Sequence, residues 1–352
     1  MRDTAVVYRN EDSYCGPISM LCRLPDGELL LAFREAKWRD RITHRDPTTR
    51  VSLLRSRDGG QTWFSQVTPH PDGGNGIGLT RTSAGDLLTT AYHWLFADDS
   101  DELSGRPRHG YDEDFDLAWA GGGVYIARSK TRGYTWSPPR HISEPPGWPD
   151  IACHAAPVEL PDGEFLLPVT ARRGPDSQHH GMVLRSMDWG HTWGDETCMT
   201  DDAPTDVTFH ETRLVVCPSG RILGMHRTPD GNYWQNHSTD GGWTWSETVE
   251  TPIWCGGSSP PDLRVLEDGR LLLTRGYRQE PFGVRAYFSE DEGRTWSVDN
   301  PVILRDDGPD WDVGYPSTVQ LKDGKLLTVY YWHGDDGIRH LQRTIWDPTG
   351  SD

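Results

Sequence analysis

The chain has 352 residues, of which 35% are hydrophobic and 25% are charged, and its formal net charge is -18. An acidic chain without a concentrated basic segment lacks what a phosphate backbone requires, which argues against a nucleic-acid partner. No apolar run approaches the roughly 18 residues that a membrane span needs, and the first residues lack the apolar core of a signal peptide, so a cytoplasmic location without a membrane partner is expected. The six cysteines form no C-x-x-C pair, which predicts free thiols.

Six segments along the chain share one pattern, in which two apolar runs flank a short turn that ends in glycine. The turns lie at residues 25–27, 83–85, 161–163, 218–220, 267–269 and 322–324. A glycine turn between two such runs is typical of a β-hairpin. Each repeat is therefore predicted to begin with a hairpin and to continue through a variable loop into further strands.

An eight-residue box, S-x-D-x-G-x-T-W, follows each of the first five hairpins. The copies lie at residues 56–63, 129–136, 186–193, 238–245 and 289–296, and only the second departs from the pattern, with Thr131 in place of aspartate. The aspartate can accept hydrogen bonds from turn amides, the glycine can take a positive φ, and the tryptophan offers an apolar face, so each box is predicted to stabilise a turn.

The regular recurrence of hairpins and boxes along the chain indicates a fold built from repeated structural units. Each repeat supplies about four strands, which predicts an all-β fold, a six-bladed β-propeller with four-stranded antiparallel blades. Residues 1–352 are predicted to form this single domain. The acidic segment 97–116 is expected to be a solvated loop that could overhang a site. The sixth repeat has no box, and its last strand is expected from residues 338–346 or from residues 5–8, which would close the ring.

The inner strands of a propeller converge on a central funnel, so the residues just before and just after each hairpin are candidate site residues. Ionisable and aromatic residues gather there, among them Glu211, Arg227, Arg278 and Tyr315. Five histidines lie at the same kind of position: His93, His154, His210, His226 and His333.

The boxes, hairpins and funnel residues resemble those of the sialidase (neuraminidase) superfamily over essentially the whole chain. The resemblance implies that Tyr315, nine residues before Gly324, is a nucleophile and that Glu211, nine residues before Gly220, is its partner base. It implies Asp46 as the acid/base residue, with Asp40 as the other aspartate of that loop.

The resemblance also implies a triad of arginines that binds a carboxylate. Two members would be Arg227 and Arg278, with Arg285 as the alternative to Arg278. The first member is missing, because Tyr14-Cys15-Gly16-Pro17 has no arginine where the family carries one. Losing one charge-assisted clamp costs about 1.5 to 3 kcal/mol of binding. Two explanations stay open: Arg34 swings in as a replacement, or the natural ligand has no such carboxylate.

Three functions follow as hypotheses. The resemblance implies a retaining glycoside hydrolase for a terminal, acidic sugar, without a cofactor, in which Glu211 takes the proton of Tyr315 and Asp46 protonates the leaving oxygen. His93, His154 and His210 would then bind the sugar. Alternatively, the funnel histidines hold a metal in a lyase or isomerase of uronic-acid sugars. The third hypothesis is a non-catalytic propeller that binds a glycan or a protein.

Overall fold

The computed structural model describes residues 2–349 apart from residues 41, 66, 107, 175, 256 and 258. These residues form 26 strands and one 3-10 helix, and the strands assemble into six antiparallel sheets, the blades of a propeller. The predicted all-β, six-bladed fold is confirmed. Among the described residues, no helix is long and apolar enough to cross a membrane. All six cysteines are free thiols, as predicted.

The first three blades follow one another along the chain, after an N-terminal strand, β1 (Asp3–Tyr8). Blade 1 consists of β2 (Ser13–Arg23), β3 (Leu29–Lys37), β4 (Arg50–Ser56) and β5 (Phe64–Ser65). Blade 2 consists of β6 (Gly74–Arg81), β7 (Leu87–Ala97), β8 (His109–Asp112), β9 (Leu117–Ser129) and β10 (Arg140–Ile142). Blade 3 consists of β11 (Asp150–Ala152), β12 (Val158–Glu159), β13 (Phe165–Arg172), β14 (His180–Ser186) and β15 (Gly194–Cys198).

The last three blades are more regular. Blade 4 consists of β16 (His210–Val216), β17 (Ile222–Arg227), β18 (Asn232–Ser238) and β19 (Val249–Trp254). Blade 5 consists of β20 (Asp262–Val265), β21 (Leu271–Tyr277), β22 (Gly283–Ser289) and β23 (Val302–Arg305). Blade 6 consists of β24 (Gly314–Gln320), β25 (Leu326–Trp332), β26 (His340–Trp346) and the N-terminal strand β1.

Both segments proposed for the end of blade 6 take part in it. Strand β26 pairs with β25, and β1 adds to the outer edge of β26 with Asp3 opposite Ile345. The hydroxyl groups of Thr4 and Thr344 lie 3.2 Å apart across this pairing. The inner strands β24 and β2 also contact each other, so blade 6 packs on blade 1 and the ring is closed.

The five boxes join neighbouring blades as well as stabilising turns. In the first, the Asp58 carboxylate accepts hydrogen bonds from the Thr62 amide at 2.9 Å and from the Ser56 hydroxyl at 2.8 Å. A side chain on Gly60, which has a φ of 87°, would overlap with Leu327 of blade 6. The glycine therefore serves both the turn and the close approach of two blades.

The acidic segment 97–116 is more ordered than expected. It forms a 3-10 helix, Ser100–Leu103, and the strand β8, which pairs with the extended β9. The side chain of Leu103 packs with Ala118 and Ala120 in a small apolar cluster. Most described residues of the segment are exposed to solvent, as predicted, but the segment is not an irregular loop, because a few apolar positions among the acidic residues anchor it.

Candidate active site

The structure brings together two residues that lie far apart in the chain. The hydroxyl of Tyr315 donates to Glu211 Oε1 at 3.1 Å. Both residues stand near the start of an inner strand, Tyr315 on β24 and Glu211 on β16, and their exposed fractions are only 8% and 6%. A buried phenol and a buried carboxylate thus meet where the inner strands of blades 4 and 6 converge on the central funnel.

Both residues adopt a left-handed backbone conformation, with φ values of 50° at Tyr315 and 44° at Glu211. Each lies at a register shift between the inner strand and its neighbour. Such a conformation costs a residue other than glycine about 1 to 3 kcal/mol and persists only where the surrounding structure enforces it. The register shifts therefore turn these two side chains out of the regular strand pattern.

The register shifts of blades 1 and 2 hold glycines in the same conformation, Gly16 with a φ of 88° and Gly76 with a φ of 48°. A Cβ on Gly76 would collide with the Cys153 carbonyl oxygen and lie 2.9 Å from His154 Cδ2. A Cβ on Gly16 would lie 3.0 Å from Tyr331 Cγ. The two glycines therefore leave space beside the pair for His154 and Tyr331.

Arg227 sets the protonation of the pair. Its Nη1 donates to Glu211 Oε2 and also to the Tyr315 hydroxyl, at 3.2 Å in the latter case. Burial alone would raise the pKa of Glu211, but Arg227 and then His154 outweigh it and lower that pKa to about 2. Burial and the charge of Glu211 raise the pKa of Tyr315 to about 12. In the free site, Glu211 is therefore ionised and Tyr315 keeps its proton.

Arg278 is the second arginine that reaches the pair, as expected. Its guanidinium lies 5.5 Å from the centre of the Tyr315 ring, and its Nη2 donates to the Tyr331 hydroxyl at 2.7 Å. Tyr331 in turn donates to Asp312 Oδ1 at 2.9 Å, and Asp312 pairs with Arg339. A network of two arginines, a phenol and a carboxylate therefore positions Arg278 against the nucleophile candidate.

Tyr331, Asp312 and Arg339 were not found from the sequence. Tyr331 lies two residues before the funnel histidine His333, so its place after the hairpin was a usable signal. Asp312 and Arg339 lie in loops outside the repeated pattern, where no signal pointed to them.

The funnel histidines do not converge on one point. The Nε2 of His154 lies 3.9 Å from Glu211 Oε1, and the ring of His210 packs on His179. His93 instead hydrogen-bonds His70 at 3.1 Å.

The remaining two funnel histidines have partners of their own, since His226 bonds Thr212 and Asn236 while His333 bonds Asp310. Within the described ranges, no group of three or more histidine, cysteine, aspartate or glutamate side chains could hold a metal ion. No observation therefore favours the metal-dependent alternative.

Three predicted site residues are engaged elsewhere. Asp46 is fully buried, and its carboxylate accepts hydrogen bonds from the Thr48 amide and from Arg39 Nε. Arg34 is also fully buried and donates to backbone carbonyls of its own blade instead of swinging into the funnel. Arg285 donates to two backbone carbonyls of blade 5, those of residues 281 and 305. The structure thus places Arg278, rather than Arg285, at Tyr315.

Comparison with known proteins identifies the family and the fold of the chain. The model of the family described as BNR repeat-like domain matches residues 116–328, which is more than half of the chain. No curated protein matched the sequence.

Among solved structures, a protein of unknown function from Dyadobacter fermentans is similar with a TM-score of 0.84 and 25% identity, covering 98% of this chain and 97% of that one. The Hadza microbial sialidase Hz136 has a TM-score of 0.70 and 18% identity, covering 97% of this chain and 66% of that one. The intramolecular trans-sialidase from Ruminococcus gnavus has a TM-score of 0.66 and 16% identity, covering 97% of both chains. The last two comparisons show the shared fold.

Proposed function

This chain belongs to the BNR repeat-like domain family, and from that premise we propose that it is a retaining glycoside hydrolase of sialidase type, acting on a terminal acidic sugar. The observation that carries the proposal is the hydrogen bond between Tyr315 and Glu211 at 3.1 Å, with Arg227 bonded to both. A fold alone never implies an activity, so the proposal depends on this site.

The pair fits a two-step displacement. Glu211 accepts the phenolic proton while the Tyr315 oxygen bonds to the anomeric carbon and the glycosidic bond breaks, and the leaving oxygen takes a proton from solvent. Water then attacks the anomeric carbon and gives a proton to solvent as the bond to Tyr315 breaks, and Glu211 returns its proton to Tyr315, which releases the sugar with retained configuration. In the free site the transfer is strongly uphill, because the pKa of Glu211 is held at about 2 by Arg227 while that of Tyr315 is raised to about 12. A substrate carboxylate that draws Arg227 away would make Glu211 a stronger base.

An acidic sugar fits the charges around the pair. Arg227 and Arg278 both face Tyr315, and a planar guanidinium binds a carboxylate through two parallel hydrogen bonds. The first-blade arginine of the resemblance is absent and Arg34 is engaged elsewhere, so two arginines form this clamp. We therefore expect a weaker grip on the carboxylate, by about 1.5 to 3 kcal/mol, than a full triad would give.

The test is a panel of 4-methylumbelliferyl glycosides of sialic, uronic and neutral sugars, with wild-type protein and Tyr315→Phe, each with and without a chelator. We expect turnover of an acidic glycoside by the wild type that is lost in Y315F, while calorimetry shows that the free acidic sugar still binds Y315F. Equal turnover by Y315F would refute the proposal, and turnover lost with the chelator would favour the metal-dependent alternative. Sugar binding without any turnover would favour the non-catalytic alternative. The cytoplasmic location stays a prediction.

A further inference from the structure

One carboxylate oxygen of the candidate active site lies between two titratable side chains. Glu211 Oε1 accepts from the Tyr315 hydroxyl at 3.1 Å and lies 3.9 Å from His154 Nε2. The other oxygen of the same carboxylate, Oε2, is bonded to Arg227. The phenol and the imidazole therefore approach the same oxygen atom, and a proton that reaches this atom from Tyr315 has His154 as its next neighbour.

The backbone of His154 is fixed, whereas no hydrogen bond holds its ring at Nδ1. The His154 carbonyl oxygen accepts from Arg213 Nη1, and Arg213 is itself buried on β16. The ring nitrogen Nδ1 is buried and has no hydrogen-bond partner among the described residues. Both ring nitrogens of the funnel histidine His226, by contrast, are hydrogen-bonded. The imidazole of His154 can therefore turn slightly without breaking a hydrogen bond at Nδ1.

The imidazole needs to move only a short way to bond the carboxylate. The separation of 3.9 Å between Nε2 and Oε1 exceeds the length of an N–H···O hydrogen bond by about 1 Å. Gly76 of blade 2 leaves space beside the ring, because a Cβ there would lie 2.9 Å from His154 Cδ2. The side chain of His154 is 21% exposed and that of Glu211 only 7%, so the imidazole is the more open end of the pair. A small rotation of the ring would therefore close the contact.

The groups around the imidazole keep it neutral near neutral pH. Burial lowers the pKa of His154 to about 4, the charge of Glu211 opposes this, and three arginines add to it. A neutral imidazole has a lone pair that can accept a proton, whereas the bond to Arg227 favours the ionised form of Glu211. The charged and titratable groups that face the ring are Glu211, His210 and Arg213 of β16, Arg227 of β17, Arg108 of the segment before β8, and His44 of the loop between β3 and β4.

We propose that His154 is the final acceptor of a proton relay that activates Tyr315; this deepens the proposed function and rests on it. In the first step the Tyr315 oxygen bonds to the anomeric carbon and the glycosidic bond breaks, while the phenolic proton moves to Glu211 Oε1 and a proton moves from Oε1 to His154 Nε2. The leaving oxygen takes a proton from solvent. In the second step water attacks the anomeric carbon and gives a proton to solvent, the bond to Tyr315 breaks, and the imidazolium returns its proton through Oε1 to the tyrosine oxygen. Glu211 is thus a carboxylate again at the end of each step.

The turnover test uses the acidic aryl glycoside that the panel identifies, whose activated leaving group departs without a proton. His154→Gln should lose about 10²-fold of kcat/KM, because the phenolic proton then has no final acceptor. In mixtures of water and heavy water, the wild-type kcat/KM should follow a curve, since two protons move in the same step. H154Q moves one proton and should follow a straight line. A straight line for the wild type, or an unchanged kcat/KM in H154Q, would overturn the relay.

A matched variant separates a chemical from a structural effect. His237→Gln makes the same exchange on β18, the third strand of blade 4, and should change neither kcat/KM nor the curve. The unfolding temperature shows whether H154Q folds, and His154→Asn takes its place if it does not. A variant that folds like the wild type, loses kcat/KM and keeps the two-proton curve would overturn the relay, because His154 would then act without carrying the proton.

A measurement without a sugar keeps the two proposals distinguishable. Benzenesulfonyl fluoride reacts with an activated phenol, whose oxygen bonds to sulfur as fluoride leaves, and peptide mass spectrometry gives the rate at each tyrosine. Tyr315 should react about tenfold more slowly in H154Q than in the wild type. Tyr111, which is 50% exposed, should react equally in both proteins.

The outcomes of this labelling bear on different proposals. Equal rates at Tyr315 in the two proteins, or no reaction of Tyr315 in the wild type, would overturn the relay even in a protein that cleaves the glycoside. Labelling of Tyr315 that depends on His154, in a protein that cleaves no glycoside, would overturn the proposed function while the proton transfer from Tyr315 to His154 stands.

Discussion

The ion pair between Glu211 and Arg227 predicts a large and pH-dependent effect of Glu211→Gln on folding. Glutamine keeps the shape but not the charge, so Arg227, whose side chain is only 14% exposed, loses its charged partner. The pKa of Glu211 is lowered from 4.5 to about 2, a difference equivalent to about 3 kcal/mol. Breaking a buried pair by removing one partner costs about 3 to 5 kcal/mol, which is the same order.

The sign of the pH dependence follows from the lowered pKa. Glu211 contributes its stability above its unfolded pKa of 4.5 and loses it as the pH falls toward the folded value of about 2. Denaturant unfolding should therefore show E211Q to be less stable by about 3 kcal/mol near neutral pH, with the gap closing below pH 4.5.

The control is an exposed pair. Arg23 and Glu267 lie 2.8 Å apart with side chains 30% and 61% exposed, so Glu267→Gln should cost at most about 1 kcal/mol. The reasoning is refuted if E211Q is as stable as the wild type near neutral pH, or if its deficit is the same at every pH.

Three further predictions concern the fold. Thr131→Asp restores the missing carboxylate of the second box and should raise stability by up to about 1 kcal/mol, measured as a higher unfolding temperature; a lower temperature would contradict the proposed turn chemistry. Gly76→Ala forces a side chain onto a left-handed residue and against the Cys153 carbonyl, so we expect a loss of about 1 to 3 kcal/mol in denaturant unfolding, and wild-type stability would exclude the described packing. His70 is buried and its pKa is lowered to about 3, so it resists protonation in the folded state and the free energy of unfolding decreases as the pH falls below 6.5. His70→Asn should therefore reduce this decrease, measured by denaturant unfolding at several pH values, and an unchanged decrease would contradict the prediction.

The fold followed from the sequence because the repeats are local. Hairpin turns and boxes are specified by a few adjacent residues, and counting them gave the number of blades. The pairing of Tyr315 with Glu211 came from the family resemblance, and the backbone explains why it holds: both residues occupy the same kind of register shift in their blades. When repeats share a backbone feature such as this register shift, its position in one blade indicates the corresponding residue in another.

The expectation for Asp46 shows what the sequence leaves open. The stretch Arg45-Asp46-Pro47-Thr48 also has residues that favour a turn. The structure forms this turn, and the Asp46 carboxylate accepts hydrogen bonds from Thr48. Sequence alone does not decide whether an aspartate faces a substrate or its own backbone. The partners of Arg278 were hidden for a related reason, because Asp312 and Arg339 come from loops whose course depends on packing between blades.

The closure of the ring has a consequence for biosynthesis. Strand β1 is synthesised before the other 25 strands described, but its partner β26 is synthesised after them, and the hydroxyl groups that meet across the two strands are 340 residues apart in sequence. A nascent chain must therefore carry an open arc of blades until β26 has been made, and the loop to be closed spans all six blades. Premature termination before His340 would leave the exposed edges of β1 and β25 free to pair with other chains.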